Sequence, residues 1–107
     1  MDLPSDKIFR SLADPTRRGL FERLCIEGEQ TVVVLTKGAG VSQPAVSKHL
    51  AILKKGGLVS AQQVGRETRY AARTEALVPL VDWTRRMSGF WDAKLDGLED
   101  LLRRMNQ

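Results

Sequence analysis

The sequence predicts a mainly α-helical domain that carries one β-hairpin and a helix-turn-helix near its centre. A glycine-rich turn at residues 38–41 separates two helical segments, which together span about residues 31–55. Strand-like segments flank a polar tip within residues 58–72, and a helical repeat of apolar residues runs from about 74 to 105. This order predicts a winged helix-turn-helix with a C-terminal helix, in a single domain covering residues 1–107.

The N-terminal third predicts two helices. Residues 5–12 place three apolar side chains at helical spacing, which indicates a short first helix. Asp14 is a typical N-cap, Pro15 fits the first helical position because its missing N–H is not needed there, and Gly28 supplies the end of the second helix. The apolar stripe of this second helix consists of Leu20, Phe21, Leu24 and Cys25.

The central segment combines conflicting local preferences. Residues 31–37 are rich in β-branched valine, which favours a strand, but the turn that follows makes a short helix the better prediction. Glycines in that turn allow positive φ angles. Ser42 caps the next helix and Pro44 lies in its first turn. The helix is expected to end at the glycine pair that starts with Gly56. The apolar face of this helix consists of Val46, Leu50 and Leu53.

A helix that reads base edges needs one packing face and another face with small or polar side chains. Gln43 is suited to adenine and Lys48 to guanine, while Ser47 and the Pro44 ring allow close approach to bases. Any single lysine is equally consistent with a solvated helix surface, but the combination favours double-stranded DNA as the partner. The candidate DNA-binding residues are Lys37, Ser42, Gln43, Pro44, Ser47, Lys48, Lys54, Lys55, Arg66 and Arg69.

The amino-acid composition argues against membrane, metal-binding and enzymatic functions. The formal net charge of +4 favours an anionic partner only weakly. Because no apolar run is long enough to span a bilayer and the N-terminus does not resemble a secretory signal, we expect no membrane association and a cytoplasmic protein. Cys25 and His49 are the only residues of their types, so we expect no metal site, no cofactor and no enzymatic activity. Cys25 is expected to be buried and inert, and His49 to be packed or bonded to backbone.

Three stretches resemble the ArsR/SmtB family of winged-helix repressors. They are Ala-Asp-Pro-Thr-Arg-Arg at 13–18, Val-Ser-Gln-Pro-Ala-Val-Ser-Lys-His-Leu at 41–50 and Gly-Gly-Leu-Val at 56–59. Gly65-Arg66 with Tyr70 is similar to the wing of that family. The resemblance implies a homodimer that binds a two-fold symmetric operator and represses transcription, often of its own operon.

The resemblance is to a branch without the metal-binding cysteine motif. Metal-sensing members carry Cys-Val-Cys before the turn, whereas this sequence has Thr31, Val32 and Val33 there. Other members bind metal through histidines on the C-terminal helix, and this sequence has no histidine beyond His49. Metal sensing is therefore not expected.

The C-terminal stripe is longer than a small core needs, so we expect it to pair with a second subunit. The candidate dimer-interface residues are Leu80, Trp83, Met87, Phe90, Trp91, Leu95, Leu98 and Leu102. Two alternatives remain open, namely a protein-interaction module with the same fold and a repressor that senses through the Cys25 thiol. The sequence identifies neither the operator nor any effector.

Overall fold

The computed structural model describes residues 4–106, with the side chains from Ser5 onward. The helices are α1 (Pro4–Leu12), α2 (Pro15–Glu27), α3 (Val32–Thr36), α4 (Gln43–Lys55) and α5 (Val78–Met105), with a 3-10 turn at Thr74–Leu77 before α5. The strands are β1 (Gln30–Thr31), β2 (Val59–Val64) and β3 (Glu67–Ala72). They form one antiparallel sheet in the order β1-β3-β2, in which β2 and β3 are the predicted hairpin.

The N-caps lie where the sequence places them. The Asp14 carboxylate accepts a hydrogen bond from the Arg17 backbone N–H at 3.0 Å, and the Ser42 hydroxyl accepts one from the Ala45 N–H at 3.4 Å. Gly28 ends α2 at φ 83° and so provides the left-handed conformation that a side chain would disfavour. These local bonds fix the starting points of α2 and α4 without help from distant residues.

The valine-rich segment is helical, as predicted, although its composition favours a strand. The Thr31 hydroxyl accepts from the Val34 N–H at 3.3 Å and caps α3, and Leu35 is completely buried in the core. The structure adds a strand that the sequence analysis missed. β1 has only two residues, with Gln30 opposite Tyr70, so it is too short to produce a detectable alternation of polar and apolar side chains.

The core lies between α1, α2, α3, α4 and the start of the hairpin. Its buried members are Ile8, Leu20, Phe21, Leu24, Leu35, Val46, Leu50, Leu53, Leu58 and Val59. Tyr70, Leu77 and Leu80 pack against this cluster from the sheet and from the start of the C-terminal helix. The core therefore packs against one face of α4 and leaves the opposite face of that helix exposed.

The C-terminal helix α5 is continuous over 28 residues. Gly89 and Gly97 both lie inside it. None of its residues is buried, and the described chain measures 72 × 30 × 22 Å because this helix extends away from the rest. No helix within residues 4–106 is long and apolar enough to cross a membrane.

Candidate nucleic-acid interface

The helix α4 has two chemically distinct faces. Val46, Leu50 and Leu53 are fully buried and attach it to the core. The five predicted base-reading residues are exposed: Ser42, Gln43, Pro44, Ser47 and Lys48. The helix therefore offers polar side chains at its N-terminal end while its other face is fixed, which is the arrangement of a recognition helix.

A cleft of 220 Å³ joins the start of α4 to the hairpin. Gln43 and Ser47 line it from the helix, Arg66 lines it from the hairpin tip, and Thr31 lines it from β1. Glu67 also lines the cleft, and its carboxylate lies 3.7 Å from the guanidinium of Arg69. The structure thus brings Gln43, Ser47 and Arg66 onto one surface, with the charge of Arg69 partly offset.

The three predicted phosphate-binding lysines lie at the ends of the helix-turn-helix. Lys37 follows α3, and Lys54 and Lys55 form the last turn of α4, about 18 Å along the helix axis from Gln43. All three are exposed, and none of them forms an ion pair with another described residue. Their charges are therefore available to an external anion.

Arg23 is a positioning residue that the sequence analysis missed. Its guanidinium donates to the backbone carbonyls of Leu35 at 2.8 Å, Lys37 at 2.9 Å and Val34 at 3.3 Å. These carbonyls lie where α3 ends, and the Val34 carbonyl also accepts from the Lys37 backbone N–H at 3.2 Å. Arg23 therefore ties α2 to the turn before α4, and because the contact joins residues distant in sequence, no local pattern identifies it.

Arg17 connects three helices in a similar way. Its Nε donates to the Ser11 carbonyl at 2.6 Å, one terminal nitrogen donates to the Arg10 carbonyl at 3.1 Å, and the other lies 3.5 Å from Nδ1 of His49. His49 is half-buried on α4. The interpretation of His49 as a packed residue fits this position, although its partner is a side chain rather than backbone.

The predicted dimer-interface residues form an uncovered apolar face on α5. Seven of the eight are at least 36% exposed, namely Trp83, Met87, Phe90, Trp91, Leu95, Leu98 and Leu102. Leu80 differs, because it is half-buried against the core. Phe9 of α1, which the sequence analysis did not assign to this surface, meets the Trp83 ring edge to face at 5.1 Å and extends it.

The expectation that Cys25 is buried is wrong. Cys25 and Ile26 are both exposed although Leu24, in the same last turn of α2, is buried, so Cys25 lies outside the packed face of the helix. Partial desolvation by neighbouring atoms and, secondly, the negative charge of Glu22 raise the pKa of the Cys25 thiol. Both effects disfavour the reactive thiolate. The described residues contain no group of three His, Cys, Asp or Glu side chains that could hold a metal ion.

Known proteins share both the sequence and this architecture. A family model described as a helix-turn-helix domain matches residues 12–60. A probable mercury resistance operon repressor of Streptomyces lividans is 39% identical over 90 residues, which cover 84% of this chain and 71% of the relative.

Solved structures agree with this result. An ArsR-like transcriptional regulator from a Rhodococcus species superimposes with a TM-score of 0.74 at 31% identity and covers 92% of each chain. A homodimeric winged helix-turn-helix DNA-binding domain from Mycobacterium bovis, described as a possible ArsR-family regulator, has the same fold, with a TM-score of 0.64 at 24% identity over 80% of this chain and 79% of that one. With the capped recognition helix, the hairpin and the extended C-terminal helix in the same order, this chain belongs to the ArsR/SmtB family of winged helix-turn-helix transcriptional regulators.

Proposed function

We propose that the chain acts as a homodimeric repressor whose α4 enters the major groove of a two-fold symmetric operator. The observation that carries this proposal is the shared cleft of Gln43, Ser47 and Arg66, which faces outward while α4 is anchored by a fully buried opposite face. A recognition helix and a wing that border one cleft suit a ligand as wide as a DNA duplex, which both elements contact at once. The repressor named in Streptomyces lividans supports the same role.

Sequence discrimination comes from the first two turns of α4 in this proposal. The Gln43 amide is able to donate to and accept from the major-groove edge of adenine, and the Lys48 ammonium donates to the acceptor atoms of guanine. The small Ser47 side chain, one helical turn after Gln43, leaves room for the bases. Lys37, Lys54, Lys55, Arg66 and Arg69 supply sequence-independent contacts to phosphates.

A second copy of the chain covers the apolar face of α5. Trp91, Leu95, Leu98, Leu102 and Met105 follow each other at alternating steps of four and three residues, the spacing of a helix that packs along another helix. The same fold is homodimeric in the Mycobacterium bovis structure. Two-fold pairing places the two recognition helices about one DNA turn, roughly 34 Å, apart.

Fluorescence anisotropy with duplex DNA from upstream of the chain's own gene, compared with scrambled DNA, tests the DNA proposal. We expect tight binding to the upstream duplex, weakened by salt and by Gln43→Ala or Lys48→Ala, each of which removes about 1–3 kcal/mol of discrimination. Arg104→Ala, at the distant end of α5, is the control for the loss of one positive charge. Equal binding of both duplexes by the wild type and both interface variants would refute sequence-specific reading by α4.

Sedimentation equilibrium tests the dimer. Leu98→Glu places a charge on the exposed apolar face and is expected to give a monomer, while Ala93→Glu adds the same charge to the opposite side of α5 and is expected to remain dimeric. Because two linked modules bind more tightly than one, Leu98→Glu also lowers DNA affinity about 10²–10⁴-fold. A dimer of undiminished stability in Leu98→Glu would show that another surface carries the association.

A further inference from the structure

A second cleft, with a volume of 460 Å³, lies between α1, the start of α2 and the end of α4. It is separate from the cleft that joins α4 to the hairpin, because no lining residue is shared. Its walls are formed mainly by Lys7, Arg10, Ser11, Arg17, Ile52 and Lys55. Four of these six are cationic, and no lining residue carries a carboxylate.

Three of the cations in this cleft, Lys7, Arg17 and Lys55, form no ion pair with a described residue. The three partners of the Arg17 guanidinium are two backbone carbonyls and the His49 ring, so the cation is fixed in position without a direct contact to a carboxylate. Neither Lys7 nor Lys55 forms an ion pair within the described part of the chain. A fixed cation flanked by two flexible ones is an arrangement that favours a multiply charged anion.

Ser11 places a hydroxyl group beside these cations. Its residue is only 5% exposed and lines the cleft, yet its hydroxyl forms no hydrogen bond with any described residue. Gly56 lies directly against this hydroxyl, and a Cβ at that position would collide with it. No buried side-chain oxygen or nitrogen of the described residues lacks a hydrogen-bond partner, so this hydroxyl is accessible to solvent and is able to donate to an oxygen acceptor in the cleft.

We propose that this cleft is a phosphate-binding site. Its volume falls within the range of about 300–1,000 Å³ that is usual for small-molecule sites, so it has room for more than one phosphate group. The phosphates come either from a free phosphorylated small molecule or from the DNA backbone. Lys55 and Ile52 lie on the same exposed ridge of α4 as Lys48, so either source acts on the helix that reads DNA.

Isothermal titration calorimetry of the full chain with sodium tripolyphosphate, in the absence of DNA and at constant ionic strength, tests the free-ligand source. We expect one binding event per chain, weakened about tenfold or more by Lys55→Ala and weakened by Ser11→Ala. Lys54→Ala is the matched control, because it removes the same charge from the adjacent residue of α4, which does not line the cleft. Circular dichroism confirms that each variant is folded.

The DNA source is tested by the dependence of operator affinity on salt. If backbone phosphates occupy the cleft, log K falls less steeply with log salt in Lys7→Ala than in Arg104→Ala, and the magnitudes of the two slopes differ by about 0.9. This result supports the site even when tripolyphosphate does not bind. The proposal is overturned if tripolyphosphate fails to bind and the slope is unchanged, or if tripolyphosphate binding weakens equally in Lys54→Ala and Lys55→Ala while the slope is unchanged. Because the calorimetric arm needs no DNA, its result is independent of the proposed operator binding.

Discussion

The winged-helix body, from α1 to β3, and the C-terminal helix α5 use their apolar residues in opposite ways. Among the described residues, every buried apolar side chain lies in the body, where helices and sheet enclose one cluster. The longest element of the chain, α5, contains no buried residue. The body therefore obtains its stability from contacts within one chain, whereas most of α5 presents an apolar face that only another molecule can cover.

The body and α5 are therefore expected to be stabilised in two different ways, the first within one chain and the second by association with another copy. The free energy of unfolding of the body is a property of the single chain and does not depend on protein concentration. A face covered by a second copy is stabilised by mass action, so its contribution rises with concentration. The same substitution should consequently have different effects in the two regions.

The largest expected effect distinguishes Leu50→Ala in the body from Leu98→Ala in α5. Leu50 is completely buried, so its truncation leaves a cavity and lowers the free energy of unfolding by about 2–5 kcal/mol at every protein concentration. Leu98 is half exposed, so its truncation leaves the unfolding of the dilute chain unchanged and weakens dimerisation instead. Urea denaturation followed by circular dichroism, at low and high protein concentration, measures both.

Equal losses of unfolding free energy in Leu50→Ala and Leu98→Ala at low protein concentration would contradict the difference between the body and α5. That result would mean that Leu98 packs within its own chain. A concentration-dependent loss in Leu50→Ala alone would mean that the body does not fold without its partner.

The helix-turn-helix is predictable because its determinants are local. Asp14 and Ser42 cap helices through bonds to residues three positions later, and the glycine turn at 38–41 contains two positive φ angles. The exposed polar end of α4 follows from the helical period once its apolar face is known. The fold class, the hairpin and the position of the capped helix α4 were therefore correctly predicted from short-range patterns, while its role in reading DNA stays a prediction.

Features that depend on tertiary packing were missed. Arg23 finds its three carbonyl partners 11 to 14 residues away, and Phe9 meets Trp83 only because α1 packs beside α5. Cys25 has the helical spacing of a core residue, four positions after buried Phe21, but no other element covers that edge of the α2 face, although the adjacent Leu24 is buried. Periodicity identifies the direction in which a side chain points but not whether another element covers it.

A smaller effect is expected from replacing a helical glycine in each region. An added Cβ meets no atom within 4 Å at either Gly19 in α2 or Gly97 in α5. Since alanine restricts the unfolded chain more than glycine does, Gly19→Ala should raise the free energy of unfolding of the body by about 0.5–1 kcal/mol. Gly97→Ala should raise the helical signal of α5 and leave the unfolding of the body unchanged, as measured by circular dichroism during urea denaturation at low concentration.

Gly56→Ala provides the contrast for Gly19→Ala. The Gly56 backbone is equally compatible with alanine at φ −76°, but the new Cβ would collide with the Ser11 hydroxyl. It should therefore destabilise the body. A stabilising Gly56→Ala would show that the Ser11 side chain rotates, or α1 shifts, to make room for the new Cβ at little cost.

The smallest effect is a difference in acid sensitivity between Asp14 in the body and Asp92 in α5. The backbone N–H of Arg17 donates to the Asp14 carboxylate and holds its pKa below the ordinary value of 3.8. Because the folded-state pKa is lowered, the stabilisation is fully present above the ordinary pKa and is lost as the pH falls through the lowered value. Asparagine also caps helices but does not titrate, so Asp14→Asn removes this loss.

Melting temperatures measured from about pH 5 down to pH 2 should show this effect as a shallower decline for Asp14→Asn than for the wild type. Asp92→Asn is the control, because that residue lies in the middle of α5 and caps no helix. Its decline should parallel that of the wild type at a low protein concentration, where the body alone determines the melting. Parallel declines in all three proteins would show that the Asp14 cap contributes nothing to the pH dependence of the body. A shallower decline in Asp92→Asn alone would instead place an acid-sensitive contact on α5, although no residue of that helix is buried within its own chain.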